Sequence, residues 1–189
     1  MITTAPPWVN RVISEFDAAG RRARDAAAGL SAAQINWKPA PGSWSIGQCL
    51  AHLIVANDVY LPAIGSALEG QPRGRAEEIT PGWFGRLFIR RVIEASPNTR
   101  KGKAPNKIEP PGEQFDASIL DRFLRSNESA RDFVRRAADY DVNRIRFKNP
   151  FVSWIRFTAG TGIEIIWKHQ VRHLLQAERV KQAPGFPAR

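Results

Sequence analysis

The sequence is short of the side chains that carry redox and nucleophilic chemistry, with one cysteine, one methionine and three histidines in 189 residues. The lone Cys49 excludes an internal disulfide. The opening run Met1-Ile2-Thr3-Thr4-Ala5-Pro6-Pro7 lacks the basic start and apolar stretch of a secretory signal, so a cytoplasmic location is expected. Long hydrophobic runs are missing too. Charged residues, Gly or Pro interrupt each apolar segment before it approaches the roughly 20 residues needed to cross a bilayer, which points to a soluble protein with no membrane span. Negative charge is in deficit: 28 Lys and Arg stand against 18 Asp and Glu, a formal net charge of +10. That excess favours encounters with anionic partners and aids solubility, but it selects neither a fold nor a particular partner. The length suits one domain with a substantial core, and a single domain over residues 1–189 is expected.

What the chain does have is helical periodicity. Val9, Val12, Ile13, Phe16, Ala19, Ala23 and Ala27 recur at three- and four-residue steps, predicting a first helix from Trp8 to Gly29. Leu30 to Gly42, with Pro39, Pro41 and Gly42, reads as a packed loop in which Ile35 and Trp37 plug one end of a core. Ser45 and Gln48 form a capping box that opens a second helix, whose stripe Ile46, Cys49, Leu50, Leu53 and Ile54 continues towards Tyr60 and Ile64. Pro62 and Gly65 are expected to disturb its far end. Gly70 to Gln114 is a basic crossover punctuated by Pro and Gly. Within it, Gly82 to Ser96 predicts a short helix laid over the bundle, with Trp83, Phe84, Leu87, Phe88 and Val92 inward and Arg86, Arg90 and Arg91 outward.

A third helix, capped by Asp116, turns Ile119, Leu120, Phe123, Leu124, Ala130, Val134 and Ala137 inward and ends before Asp141. Asn127 interrupts that face; a slight rotation into solvent is the commoner outcome for such a residue, and lining a cavity is the alternative. Arg144 to Phe157 reads as an irregular covering loop. Thr161 and Glu164 form a second capping box, from which a fourth helix runs through His169 and His173 to Val180. Four long helices with one long connection between the second and third predict an all-α four-helix bundle with a crossover.

The three histidines fall where these helices can bring them together. His169 and His173 are four residues apart, which stacks both imidazoles on one helical face, and His52 borders the inner stripe of the second helix. Buried imidazoles are costly without partners, and one metal ion would serve all three, leaving coordination positions open for reaction chemistry. His52 lies seven residues beyond its cap, about 10 Å along its helix, and antiparallel packing permits His52, His169 and His173 to share a level. Cys49, one turn before His52, reads as a small buried hydrophobe. Arg172 is expected to face solvent or an acidic partner, and Gln176 to brace its helix.

The segments Trp44-Ser45-Ile46-Gly47-Gln48-Cys49-Leu50-Ala51-His52-Leu53 and His169-Gln170-Val171-Arg172-His173-Leu174-Leu175-Gln176 resemble the two signature segments of the DinB-like superfamily, the YfiT-like metalloenzymes. The resemblance spans nearly the whole chain. It implies an up-down-down-up four-helix bundle, often a homodimer, with His52, His169 and His173 binding nickel, zinc or a similar divalent ion. Relatives of known activity include thiol-dependent enzymes such as mycothiol-dependent maleylpyruvate isomerase and bacillithiol S-transferases. The implied function is therefore metal-dependent S-transferase-type chemistry with a low-molecular-weight thiol and a small-molecule substrate; a metal-dependent hydrolase is the alternative. The long basic crossover departs from the better-studied members, so their substrate contacts do not transfer to this chain.

A different class of function rests on that crossover. Arg86, Arg90, Arg91, Arg100, Lys101, Lys103 and Lys107 beside Trp83 and Phe84 make a surface of the kind that binds nucleic acid or an acidic membrane. No nucleic-acid-binding motif accompanies it, which makes nucleic acid the weaker reading. No carboxylate occupies a position that marks it as a catalytic base.

Overall fold

Pro7 opens helix α1 (Pro7–Ala27) at a position where its missing N–H leaves no bond unmade. The helix buries Trp8, Val9, Val12, Phe16, Ala19 and Ala23 along one face. The computed structural model describes residues 5–94, 110, 112, 114–152 and 154–188. Leu30 to Gly42 is not all loop: Ser31 and Gln34 form a capping box that starts a short helix, α2 (Ala32–Asn36). Ile35 plugs the core, fully buried, with Trp37 half-buried beside it. The box Ser45/Gln48 opens α3 (Ile46–Leu68) as expected, and the helix passes Pro62 and Gly65 without ending. By length and a mean hydropathy of 1.2, α3 is the one described helix apolar enough to cross a membrane, yet it carries buried Gln48, His52 and Asn57 and packs as a core helix.

The expected crossover helix exists as α4 (Trp83–Phe88) running into a π-helical turn at Ile89–Ile93. Its inward face differs from the one the periodicity predicts. Gly85, Ile89 and Ile93 are buried, while Trp83, Phe84, Leu87 and Val92 face outward and Phe88 is half-buried. Gly85 sets this rotation, because a Cβ there would lie 2.9 Å from Thr161 Cγ2. Arg100, Lys101, Lys103 and Lys107 lie outside the described residues.

Helix α5 (Ser118–Ala137) follows Asp116, whose Oδ1 accepts from Ser118 N at 2.8 Å. Hydrogen bonds from the Ser118 side chain, then from its backbone N–H, hold the exposed Asp116 carboxyl below its ordinary range. Arg144 to Phe157 contains an antiparallel hairpin instead of irregular loop. Strands β1 (Arg146–Lys148) and β2 (Arg156–Thr158) pair Phe147 with Phe157, both turned into the core. The last helix, α6 (Ala159–Lys181), begins two residues earlier than predicted. Its cap is Thr158, which accepts from Thr161 N, and Glu164 is released from capping to pair with Arg11 at 2.7 Å.

Named contacts fix the directions of the four long helices. Arg11–Glu164 and Arg22–Glu178 run α1 parallel to α6, and Asn57 on Ser126 with Gly65 on Phe133 runs α3 parallel to α5. Asn127 bonds to Phe16 O while Gly20 meets Leu124, so α1 and α5 are antiparallel. Asn57 meets Gln170 while Ile64 packs on Gly162, so α3 and α6 are antiparallel. The result is an up-down-down-up four-helix bundle with the crossover and hairpin closing one end.

Its core is in two parts. One surrounds Trp8, Phe16, Tyr60, Phe133, Phe147, Phe157 and Ile166. The other surrounds Ala19, Ala23, Leu50, Leu53, Phe123, Leu174 and Ala177. Between them lies a polar layer in which Asn57 Nδ2 donates to Ser126 Oγ at 3.0 Å and Gln170 Nε2 approaches Asn57 Oδ1 at 3.5 Å. Asn127 belongs to this layer and is buried, not rotated to solvent; its Nδ2 donates to Phe16 O at 2.8 Å.

Candidate metal centre

The three histidines meet at the edge of the polar layer. The Ser45 cap fixes the phase of α3, so His52 points inward with Cys49, Leu53 and Ala56, and antiparallel α6 presents His169 and His173 opposite it. One ligand-capable nitrogen from each ring lies within 4.8 Å of the others, and His52 Nε2 and His169 Nε2 are 3.0 Å apart. For comparison, three nitrogens on a tetrahedral zinc at its usual bond length stand about 3.3 Å from one another.

Electrostatics disfavour a proton on His169 and on His173. Burial, then the nearby His52 and Arg172, lowers the His173 pKa from 6.5 to about 3. Burial, then His173, His52 and Arg172, pushes His169 well below 6.5. Neutral imidazole is the form that binds metal. Three imidazole nitrogens gathered within 4.8 Å, with no fourth His, Cys, Asp or Glu grouped with them among the described residues, fit a divalent ion of borderline softness.

Neighbouring side chains orient the cluster. His173 Nδ1 lies 2.9 Å from Gln176 Oε1, which can only accept, so Nδ1 carries the proton and Nε2 is left to the cluster. Gln176 thus braces a ligand as well as its helix. Trp44, just before the α3 cap, stacks on His173 at 5.4 Å between centroids and meets His52 edge-on at 4.8 Å. Its place beside the capping box was visible in the sequence, but its function as a wall was not, because χ angles decide where an indole points.

The crossover also reaches the site. Arg172 Nη1 donates to Val92 O at 2.6 Å and Lys168 Nζ pairs with Glu94 at 2.7 Å, so the π-helical turn clamps the stretch of α6 that bears His169. Arg172 is half-buried under this clamp and not simply solvent-facing. Cys49 is fully buried, and burial drives its thiol pKa strongly upward, consistent with a packing residue. A cavity of about 340 Å³ opens at the other end of the bundle, lined by Arg73, Arg75, Asp141, Arg144 and Arg146. Three of those arginines are already paired, with Asp139, Glu77 and Asp141.

Fold and cluster together define a helical-bundle protein with a three-histidine cluster. The family model of the DinB superfamily matches residues 15–177, and the chain belongs to that superfamily. No curated protein matches the sequence. Among solved structures the chain is similar to YfiT from Bacillus subtilis, described as a probable metal-dependent hydrolase with an unusual four-helix bundle topology. The TM-score is 0.60 at 12% identity, covering 96% of this chain and 90% of that one. At that identity the likeness speaks to the fold.

Proposed function

We propose that this protein is a divalent-metal-dependent enzyme whose ligands are His52, His169 and His173, with nickel or zinc as the ion, acting on a small-molecule electrophile with a low-molecular-weight thiol. The observation that carries this reading is the convergence of three inward-facing imidazoles from two helices, with nitrogens within 4.8 Å. When bound, such an ion supplies Lewis acidity and lowers the pKa of a thiol or water sharing its coordination sphere. The chain's own residues do the rest. Burial keeps His169 and His173 unprotonated and available, Gln176 fixes the His173 tautomer, and the Trp44 ring limits water on one side. The Arg172 guanidinium, close enough to depress both His169 and His173, favours negative charge on the reacting group.

Thiol chemistry suits the surroundings. The metal-capable group contains only histidines, Glu94 is tied to Lys168, and Glu164 is tied to Arg11 and Trp167. A thiol, with an ordinary pKa near 8.5, needs less help from a base than water does. Hydrolysis is the second reading, favoured by the description of YfiT. A cytoplasmic homodimer completes the proposal.

The test is elemental mass spectrometry of untagged protein after nickel or zinc loading, wild type against His169→Ala, followed by turnover of an electrophile with and without added thiol. Stoichiometric metal lost in the variant, with thiol consumed only by loaded wild type, is expected. Turnover without thiol selects the hydrolase. Equal, negligible metal in both proteins overturns the reading.

A further inference from the structure

Exposed large apolar side chains are concentrated in one region. Among the described residues they are Trp83 (72% exposed), Phe84, Leu87, Val92 and Trp154 (81% exposed), all on the α4 segment or the tip of the hairpin. These two elements touch each other: Phe84 stacks on Phe157 of β2 at 5.8 Å, and Phe88 packs on the same ring at 5.0 Å. Solvent-facing Arg86, Arg90 and Arg91 interleave with the apolar residues, and Arg156 is exposed on β2. The inner face of α4 is already satisfied by Gly85, Ile89 and Ile93, so no small rotation buries Trp83 or Leu87.

We propose that this face docks the protein on an anionic lipid surface. Tryptophan and leucine set among arginines on an amphipathic helix are the chemistry of interfacial binding, in which rings enter the headgroup boundary and cations meet phosphate. Charge argues against a second copy as the occupant. A two-fold interface would set this arginine-bearing face against its own copy, bringing like charge close to like charge in a protein that already carries a net +10. Nucleic acid would use the cations but leaves Leu87 and Val92 without a purpose, since base stacking needs aromatic planes. The inner side of the same segment holds α6 at Arg172 and Lys168, so docking brings the stretch of α6 that bears the histidines towards the lipid surface.

The experiment is co-flotation of the full chain with vesicles of phosphatidylglycerol and phosphatidylcholine, against phosphatidylcholine alone, for wild type, Trp83→Ser/Leu87→Ser and Arg90→Glu/Arg91→Glu. Each double variant is expected to lower partitioning into anionic vesicles by about tenfold or more. Because all four residues are exposed, circular dichroism and melting temperature should match wild type. Wild-type protein that ignores anionic vesicles overturns the proposal. So does undiminished binding by Trp83→Ser/Leu87→Ser, which would place the attraction on basic residues elsewhere. A dimer that this variant converts to monomer, without vesicle binding by wild type, would show the face to be a self-interface. Duplex DNA binding in place of vesicle binding would equally overturn it.

Discussion

The two halves of the core are built from different materials. The half closed by the hairpin and crossover is aromatic, with Trp8, Phe16, Tyr60, Phe133, Phe147 and Phe157 interlocking, and Gly162 gives way to Ile64 and Phe147, which would meet its Cβ at 2.7 Å. The half beyond the polar layer is small-residue rich: Ala19, Ala23, Ala26, Ala27, Cys49, Ala51 and Ala177 pack around Leu50, Leu53, Phe123 and Leu174. Large rings fill the first half and leave little to rearrange. Beside the second, three imidazoles and the Trp44 indole occupy space that aliphatic side chains do not. One half is filled by interlocking rings, the other borders a cluster of three imidazoles.

The sharpest way to break that contrast is to exchange consequences between the halves. His169→Ala is expected to abolish stoichiometric metal while leaving the metal-free protein folded, since it removes an imidazole whose burial is unfavourable to its charged form. Metal content and a metal-free thermal melt read the two effects separately. A variant that keeps its metal, or unfolds only in the metal-free state, would erase the distinction. Phe147→Ala is the reciprocal change. Removing this buried ring should cost about 3–5 kcal/mol of unfolding free energy in urea titration, with metal stoichiometry unchanged in the protein that remains folded.

The sequence disclosed the two halves unequally. Wherever a stripe repeated over several turns, as in Val9 to Ala27 or Ile46 to Ile64, helix and inward face were both legible, and so were the phases of His52, His169 and His173. Short elements were not. The hairpin has three-residue strands whose pairing depends on Phe147 and Phe157 finding each other across a turn, and no local pattern announces that. On α4 the sequence alone misassigned the face, because the apolar stripe through Trp83 and Leu87 is larger than the one through Gly85 and Ile89. Steric closeness at Thr161, a tertiary fact, decided between them. Thr161 with Glu164 satisfied a capping pattern, yet Thr158 won because Glu164 has a stronger partner in Arg11. Asn127 needed a long-range carbonyl, Phe16 O, that only the bundle supplies.

Smaller changes sharpen the comparison at the histidine cluster. Gln176→Leu keeps the volume but removes the acceptor that fixes the proton on His173 Nδ1. Metal affinity, measured by competition with a chelator, should fall by about 10- to 100-fold, the usual cost of losing an outer-shell partner. Gln176→Glu, which restores an acceptor, should recover most of it. Unchanged affinity in the leucine variant would show that helix geometry alone orients His173.

Protons offer the gentlest probe. In metal-free protein the folded-state pKa of His173, about 3, lies below the ordinary value of 6.5 that the unfolded chain recovers. Between those values the unfolded state binds the extra proton, so stability is fully present above pH 6.5 and declines as pH falls towards 3. The expected slope is about 1.4 kcal/mol per pH unit from this group alone, and His169, lowered in the same direction, steepens it. The double variant His169→Leu/His173→Leu should flatten the decline in metal-free protein, whereas Phe147→Ala should shift the whole curve down without changing its slope. If both variants keep the wild-type slope, the acid sensitivity does not arise at these histidines, and the imidazoles are better hydrated than their packing indicates.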